Sequence, residues 1–147
     1  MIEVDASQGF VAGAASEHML RARGSDLSDC VLVVDDESII TSLWCAIVEG
    51  MGLEVCGTAT TAWQAVALAQ AHRPAVVLMD VRLRGERDGV DAALDIYDSV
   101  GSKVIFITGS GEPATQARIN MDHPAAVLFK PITESQLQNA INEALRH

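Results

Sequence analysis

Ala75-Val-Val-Leu-Met-Asp80 decides the fold: five apolar residues end in a carboxylate, and the polar run Val81-Arg-Leu-Arg-Gly-Glu-Arg-Asp88 follows. A short, unbroken apolar run with β-branched residues, bounded by Pro74 in front and charges behind, predicts a strand buried on both faces. Asp80 then stands at the C-terminal end of that strand. In open parallel sheets this edge is where ligands and chemistry sit.

The same pattern repeats on either side. Toward the N-terminus, Cys30-Val-Leu-Val-Val34 reads as a strand ending in Asp35-Asp36-Glu37, and Ile40, Leu43, Trp44, Ile47 and Met51 predict one apolar helix stripe stopped at Gly52. Leu53 to Gly57 is a second short strand, and Thr61-Ala-Trp-Gln64 has the form of a capping box opening an Ala-rich helix that ends before Pro74. Toward the C-terminus, Val90, Ala93, Leu94 and Tyr97 predict a helix over residues 88–100, and Lys103-Val-Ile-Phe-Ile107 a strand ending in Thr108. A short helix over residues 113–120 has only Ala114, Ala117 and Ile119 to bury, so it is expected to be the least firmly held element. Ala125 to Phe129 is the last strand, ending in Lys130-Pro131. Thr133-Glu-Ser-Gln136 then caps a final helix with Leu137, Ala140, Ile141, Ala144 and Leu145 on one face.

Alternating strands and helices of this kind predict an α/β protein, a flavodoxin-like (βα)5 doubly wound parallel sheet with right-handed crossovers. The order 2-1-3-4-5 is expected by analogy with flavodoxin-like folds; in that order the strands that end in polar groups are neighbours and the second strand lies at the rim. Residues 1–28 are expected to form a weakly structured extension and residues 29–147 the domain.

At 147 residues, 49% hydrophobic, the chain is long enough for one cored domain. Its net charge of −10 argues against a nucleic-acid partner, which needs a basic face. No apolar run reaches the roughly 18 residues of a membrane span, and the start Met-Ile-Glu-Val-Asp5 lacks a basic signal region, so no membrane association and a cytoplasmic location are expected. Cys30, Cys45 and Cys56 lack metal-ligand spacing and are expected to act as small apolar side chains. Trp44 and Trp63 are expected to pack their helices, while His18, His72, His123 and His147 do not cluster.

The predicted topology brings Asp35, Asp36, Asp80, Thr108 and Lys130 to one pocket. Packed carboxylates repel unless a proton or cation lies among them, and oxygen donors with water access suit Mg²⁺. Lys130 adds a cation and Thr108 a hydroxyl for phosphoryl oxygens, and Asp80 is a nucleophilic carboxylate able to form an acyl phosphate. Simpler readings exist: either of Asp35 and Asp36 can cap a helix, and Lys130 can be an ordinary solvated lysine.

From Cys30 to about Leu145 the chain resembles the response-regulator receiver domains of two-component signalling, through VLVVDDE, LMD, FITG and FKP at successive strand ends. Phe106-Ile-Thr-Gly109 with Asp80-Val-Arg-Leu83 is also similar to the single-domain subgroup with a Phe-Ala-Thr-Gly motif. The resemblance implies a phosphoacceptor rather than an enzyme. Asp80 would take a phosphoryl group from a sensor histidine kinase or a histidine phosphotransfer protein, and Mg²⁺ would be held by Asp35, Asp36, Asp80 and the backbone carbonyl of Arg82. Lys130 and Thr108 would contact the phosphoryl group, with Lys130-Pro131 in the cis form, and Arg82 and Ser110 would occupy the positions that tune dephosphorylation. The output would be binding of a downstream protein, or onward relay. Val127 departs from the pattern, since most receivers carry there a Tyr or Phe that swings inward. A phosphate-independent binding module of the same fold is the first alternative. The second is an Asp-nucleophile phosphatase, although Arg82 replaces the second Asp that such enzymes use.

Overall fold

The computed structural model describes residues 26–146; the N-terminal extension expected over residues 1–28 falls mostly outside them, as do His18 and His147. Five strands, β1 (Ser28–Val34), β2 (Glu54–Ala59), β3 (Pro74–Asp80), β4 (Lys103–Thr108) and β5 (Ala126–Phe129), alternate with five helices. These are α1 (Ser38–Gly50), α2 (Ala62–His72), α3 (Gly89–Ser99), α4 (Pro113–Asn120) and α5 (Glu134–Arg146). All strands are parallel, in the expected order β2-β1-β3-β4-β5.

Alternation along the strands divides the core into two layers, because successive side chains point to opposite faces. Val31, Val33, Val76, Leu78, Ile105 and Ile107 meet Trp44 and Val48 of α1 and Leu137 and Ile141 of α5. Leu32, Val34, Val77, Met79, Val104 and Phe106 meet α2 through Ala62, Ala65 and Ala69, α3 through Val90, Ala93 and Ile96, and Ile119 of α4. The near-continuous apolar strands are thus explained by burial on both sides. One irregularity marks the β1–β2 pair: Val31 faces Val55 but Leu32 faces Gly57, so Cys56 is an extra residue on β2.

The local signals act as expected. Gly52, at φ 82, follows the C-cap of α1 in the left-handed region that glycine enters without strain. Thr61 Oγ1 accepts the Gln64 N–H at 3.1 Å, while Gln64 Oε1 reaches back to the Thr60 N–H at 3.0 Å. Thr133 and Gln136 form the reciprocal pair at α5, at 2.8 and 3.1 Å.

Several expected packing residues are corrected. Trp63 is 80% exposed, because α2 turns its Ala62, Ala65 and Ala69 edge to the sheet and those small side chains bring the helix too close for a ring. On α1 the buried arc runs through Thr41, Trp44 and Val48, which leaves Leu43 exposed. α3 buries Ala92 and Ile96, so Leu94 and Tyr97 turn outward. Leu145 is exposed, and Ala114 and Ala117 are too, so α4 buries Ile119 alone. Cys30 is buried but Cys45 and Cys56 are only partly so, and all three are free thiols. No helix among the described residues is long and apolar enough to cross a membrane.

Candidate functional site

The C-terminal ends of β1, β3, β4 and β5 meet at one cleft of about 680 Å³, lined in part by Asp36, Asp80, Arg82, Thr108, Ser110 and Lys130. Asp35, at the end of β1, is fully buried, Asp80 and Thr108 are also buried, and Asp36 is partly exposed. The topology therefore brings together every strand-end group read from the sequence. β2, at the rim, adds none of them.

Asp35, Asp36 and Asp80 each offer a carboxylate oxygen within 4.8 Å of the others. Lys130, at the end of β5 and followed by a cis peptide bond to Pro131, sends Nζ between the two buried acids. It lies 3.3 Å from Asp35 Oδ2 and 3.4 Å from Asp80 Oδ1, and 5.7 Å from the ring of Trp44 beneath it. Asp35 is oriented by the Glu37 N–H, which donates to its Oδ1 at 2.9 Å.

The electrostatics show an incompletely neutralised cluster. Burial, and then the neighbouring Asp35, push the Asp80 carboxyl up to about 6 against the pull of Lys130. Burial also raises Asp35, opposed by the Glu37 N–H and Lys130. One ammonium cannot balance three carboxylates, and the set of hard oxygen donors open to solvent fits Mg²⁺, which keeps several waters when bound. Asp35, Asp36 and Asp80 can hold such an ion. Arg82 lines the same cleft, and it is exposed.

Thr108 is tied to the loop that follows it: its Oγ1 accepts the Ser110 N–H at 3.0 Å. The remaining arginines of the run after β3 are engaged locally. Arg84 Nη2 reaches the Asp36 carbonyl at 3.5 Å, and Arg87 pairs with Asp95 at 2.8 Å.

Some residues of the site escaped sequence reasoning. Gly89 opens α3 directly against β3: a Cβ there would overlap the Asp80 carbonyl oxygen and lie 3.0 Å from Met79 Cγ. Asp88 caps α3, accepting the N–H groups of Val90 and Asp91 at 3.0 and 3.1 Å, while Asp91 Oδ2 accepts the Asp88 N–H at 2.9 Å. The spacing Asp88-x-x-Asp91 was a visible signal, with Asp where a capping box usually has Glu or Gln. Asp88, Glu112 and Thr115 also line the cleft, which no local pattern announces.

A buried acidic cluster closed by a lysine, on the C-terminal edge of a 2-1-3-4-5 sheet, defines a receiver domain, and the chain belongs to that family: the response regulator receiver domain matches residues 31–142. Among its relatives, the phyllosphere-induced regulator PhyR of Methylorubrum extorquens is 32% identical over 126 residues, covering 85% of this chain and 46% of that protein. The transcriptional regulatory protein PdtaR of Mycobacterium tuberculosis is 32% identical over 115 residues, covering 78% of this chain and 56% of PdtaR. The chain thus spans about half the length of these curated relatives. Among solved structures, the receiver domain of Erythrobacter litoralis PhyR superposes with a TM-score of 0.72 at 31% identity, over 83% of this chain and 93% of that one.

Proposed function

We propose that this domain is a phosphoacceptor of a two-component or phosphorelay system, modified at Asp80. The carboxylate oxygen of Asp80 attacks the phosphorus of a phosphohistidine on a sensor kinase or histidine phosphotransfer protein. A P–O bond forms, the P–N bond breaks, and the imidazole leaves with the electron pair. Asp35, Asp36, Asp80 and the Arg82 carbonyl would hold Mg²⁺, which when bound would supply neutralising charge for the phosphoryl oxygens. Lys130 and Thr108 contact the same oxygens, and Arg82 and Ser110 at the cleft mouth set how readily water reaches the acyl phosphate. The phosphorylated form binds a downstream protein or passes the group on, in the cytoplasm, and turns over no substrate of its own.

The observation that carries this reading is Lys130 Nζ within 3.4 Å of both buried carboxylates, inside an acidic cluster that opens on a cleft. Its test is the intact mass of the protein and of Asp80→Asn after incubation with a small phosphodonor and Mg²⁺. A gain of about 80 Da, one PO₃ unit, in the parent alone is expected from acyl-phosphate chemistry. One observation favours a second reading, a phosphate-independent binding module: Val127, partly buried against the α3-side core, supplies no ring to swing. Mg²⁺ binding with no mass gain, even from a phosphorylated kinase, would select it.

A further inference from the structure

α4 buries only Ile119, and so the core does little to fix where it lies. Polar contacts do that instead. On one side, Gln116 Nε2 donates to the Ser110 carbonyl at 2.9 Å, and the Ser110 N–H in turn donates to Thr108 Oγ1. On the other, Arg118 grips Asp88 with two hydrogen bonds, Nη1 to Oδ2 at 2.7 Å and Nη2 to Oδ1 at 3.0 Å, and reaches Asp91 Oδ1 at 3.3 Å. Asp88 is the N-cap of α3, and the adjoining Gly89 abuts the Asp80 carbonyl. These contacts close a ring around the cleft, from Thr108 through α4 and Asp88 back to Asp80. Beyond α4 the chain is fixed on α3 by His123, stacked on Tyr97 at 4.0 Å, which gives the helix a pivot at its C-terminal end.

The two sides of the ring differ in what holds them. Thr108 has one proton to donate, and its Oγ1 holds the Ser110 N–H. When the hydroxyl moves to donate to an oxygen carried by Asp80, Ser110 must follow or lose its bond, and Gln116 transmits that pull to α4. Arg118 resists from the opposite side. Its release is cheap: the guanidinium is half-exposed, and Asp88 keeps its backbone donors Val90 and Asp91 when the arginine leaves, so α3 stays capped. Burial pushes the Asp88 carboxyl up, but the Arg118 grip together with the hydrogen bonds from Asp91 outweighs it and holds the carboxyl below the usual carboxylate range.

We propose that Arg118 is the anchor that holds α4 in its unphosphorylated position, and that its clasp on Asp88 and Asp91 is the contact that phosphorylation at Asp80 must break. This rests on the phosphoacceptor reading above. It supplies a switch that needs no aromatic side chain at Val127. Arg118 is a positioning residue, acting on the cleft only through Asp88 and α4.

The test uses Arg118→Gln and Arg118→Lys in the full chain, with amide exchange followed over residues 112–121 before and after phosphorylation by a small phosphodonor with Mg²⁺. Before phosphorylation, Arg118→Gln is expected to speed exchange in α4 by about three- to fivefold, as suits a two-bonded ion pair at a surface, with α3 unchanged. It takes up the phosphoryl group faster by a similar factor, and Arg118→Lys lies between. After phosphorylation the difference between parent and variant disappears, because the clasp is already open. Equal exchange before phosphorylation overturns the proposal. So does a difference that persists afterwards, which marks an ion pair with a purely structural role. If both proteins take up phosphate but α4 behaves identically in them, the anchor alone fails. If neither takes it up, the phosphoacceptor reading fails and the anchor falls with it.

Discussion

If Asp80 ligates Mg²⁺ as proposed, proton and metal compete for its carboxylate, and the geometry sets the pH at which the proton wins. Burial and the adjacent Asp35 raise this carboxyl from 3.8 to about 6 in spite of Lys130. With a value of about 6, about nine-tenths of Asp80 is ionised at pH 7 and about one-tenth at pH 5, so the apparent Mg²⁺ affinity should fall about tenfold across that interval. Asp35, also raised by burial, makes the fall steeper. Lys130→Met should move its onset to higher pH, since the charge that holds Asp80 down is gone. The assay is built in: Trp44 is buried beneath Lys130 and Trp63 is exposed, so Trp63→Phe leaves Trp44 as the one tryptophan reporter in Mg²⁺ titrations at pH 5 to 8. The sign for stability is the opposite. A carboxyl raised in the folded state favours folding most below 3.8, and that contribution is lost as pH rises to about 6. It amounts to about 3 kcal/mol at most for a shift of about two units, and bound Mg²⁺ restores it. An Mg²⁺ affinity that stays constant between pH 5 and 7 would refute the assignment of Asp80 as a buried, proton-competing ligand.

Asp122, after α4, is buried with neither carboxylate oxygen hydrogen-bonded among the described residues, and burial pushes it up to about 6. Stability should therefore fall through this group as pH rises from 3.8 to about 6. Asp122→Asn should stabilise the protein at pH 7 by about 1–2 kcal/mol in urea and flatten that slope, the amide keeping part of the cost of an unpaired polar group. Gly89→Ala should cost about 1–3 kcal/mol by forcing α3 away from Asp80, and should weaken Mg²⁺ binding along with it; wild-type stability would show that the helix start shifts freely. Trp44→Ala should lose about 3–5 kcal/mol, whereas Trp63→Gln should stay within about 0.5 kcal/mol of the parent in the same denaturation assay.

The strands and the site were legible because both rest on short-range patterns. Apolar runs such as Val31 to Val34 and Val76 to Met79 end in the acidic residues that gather at the cleft, so finding a strand finds its polar terminus. Parallel topology then gathers Asp35, Asp36, Asp80, Thr108 and Lys130 without further information. What stayed hidden depends on distance in the chain or on rotation of a helix by a fraction of a turn. Arg118 and Asp88 are thirty positions apart, and nothing local tells an arginine on α4 that its partner is the cap of α3. Trp63 and Leu43 look like core residues by type, yet the arcs that face the sheet are set by Ala65 and Ala69 on one helix and by Thr41 and Val48 on the other. Gly89 falls at the start of the helix expected over residues 88–100 with no local sign of a special role, and only the approach of α3 to the Asp80 carbonyl shows why a side chain has no room there.

The central claim is that Asp80 itself carries the phosphoryl group, and chemical mapping of the acyl phosphate tests it most directly. After treatment with a small phosphodonor and Mg²⁺, borohydride reduction should convert the modified aspartate to homoserine, a loss of about 14 Da expected of a reduced acyl phosphate. Peptide sequencing by mass spectrometry should find that change at position 80 and nowhere else, with Asp80→Asn giving none. Homoserine at Asp35 or Asp36, or a phosphoryl group still gained by Asp80→Asn, would contradict the account.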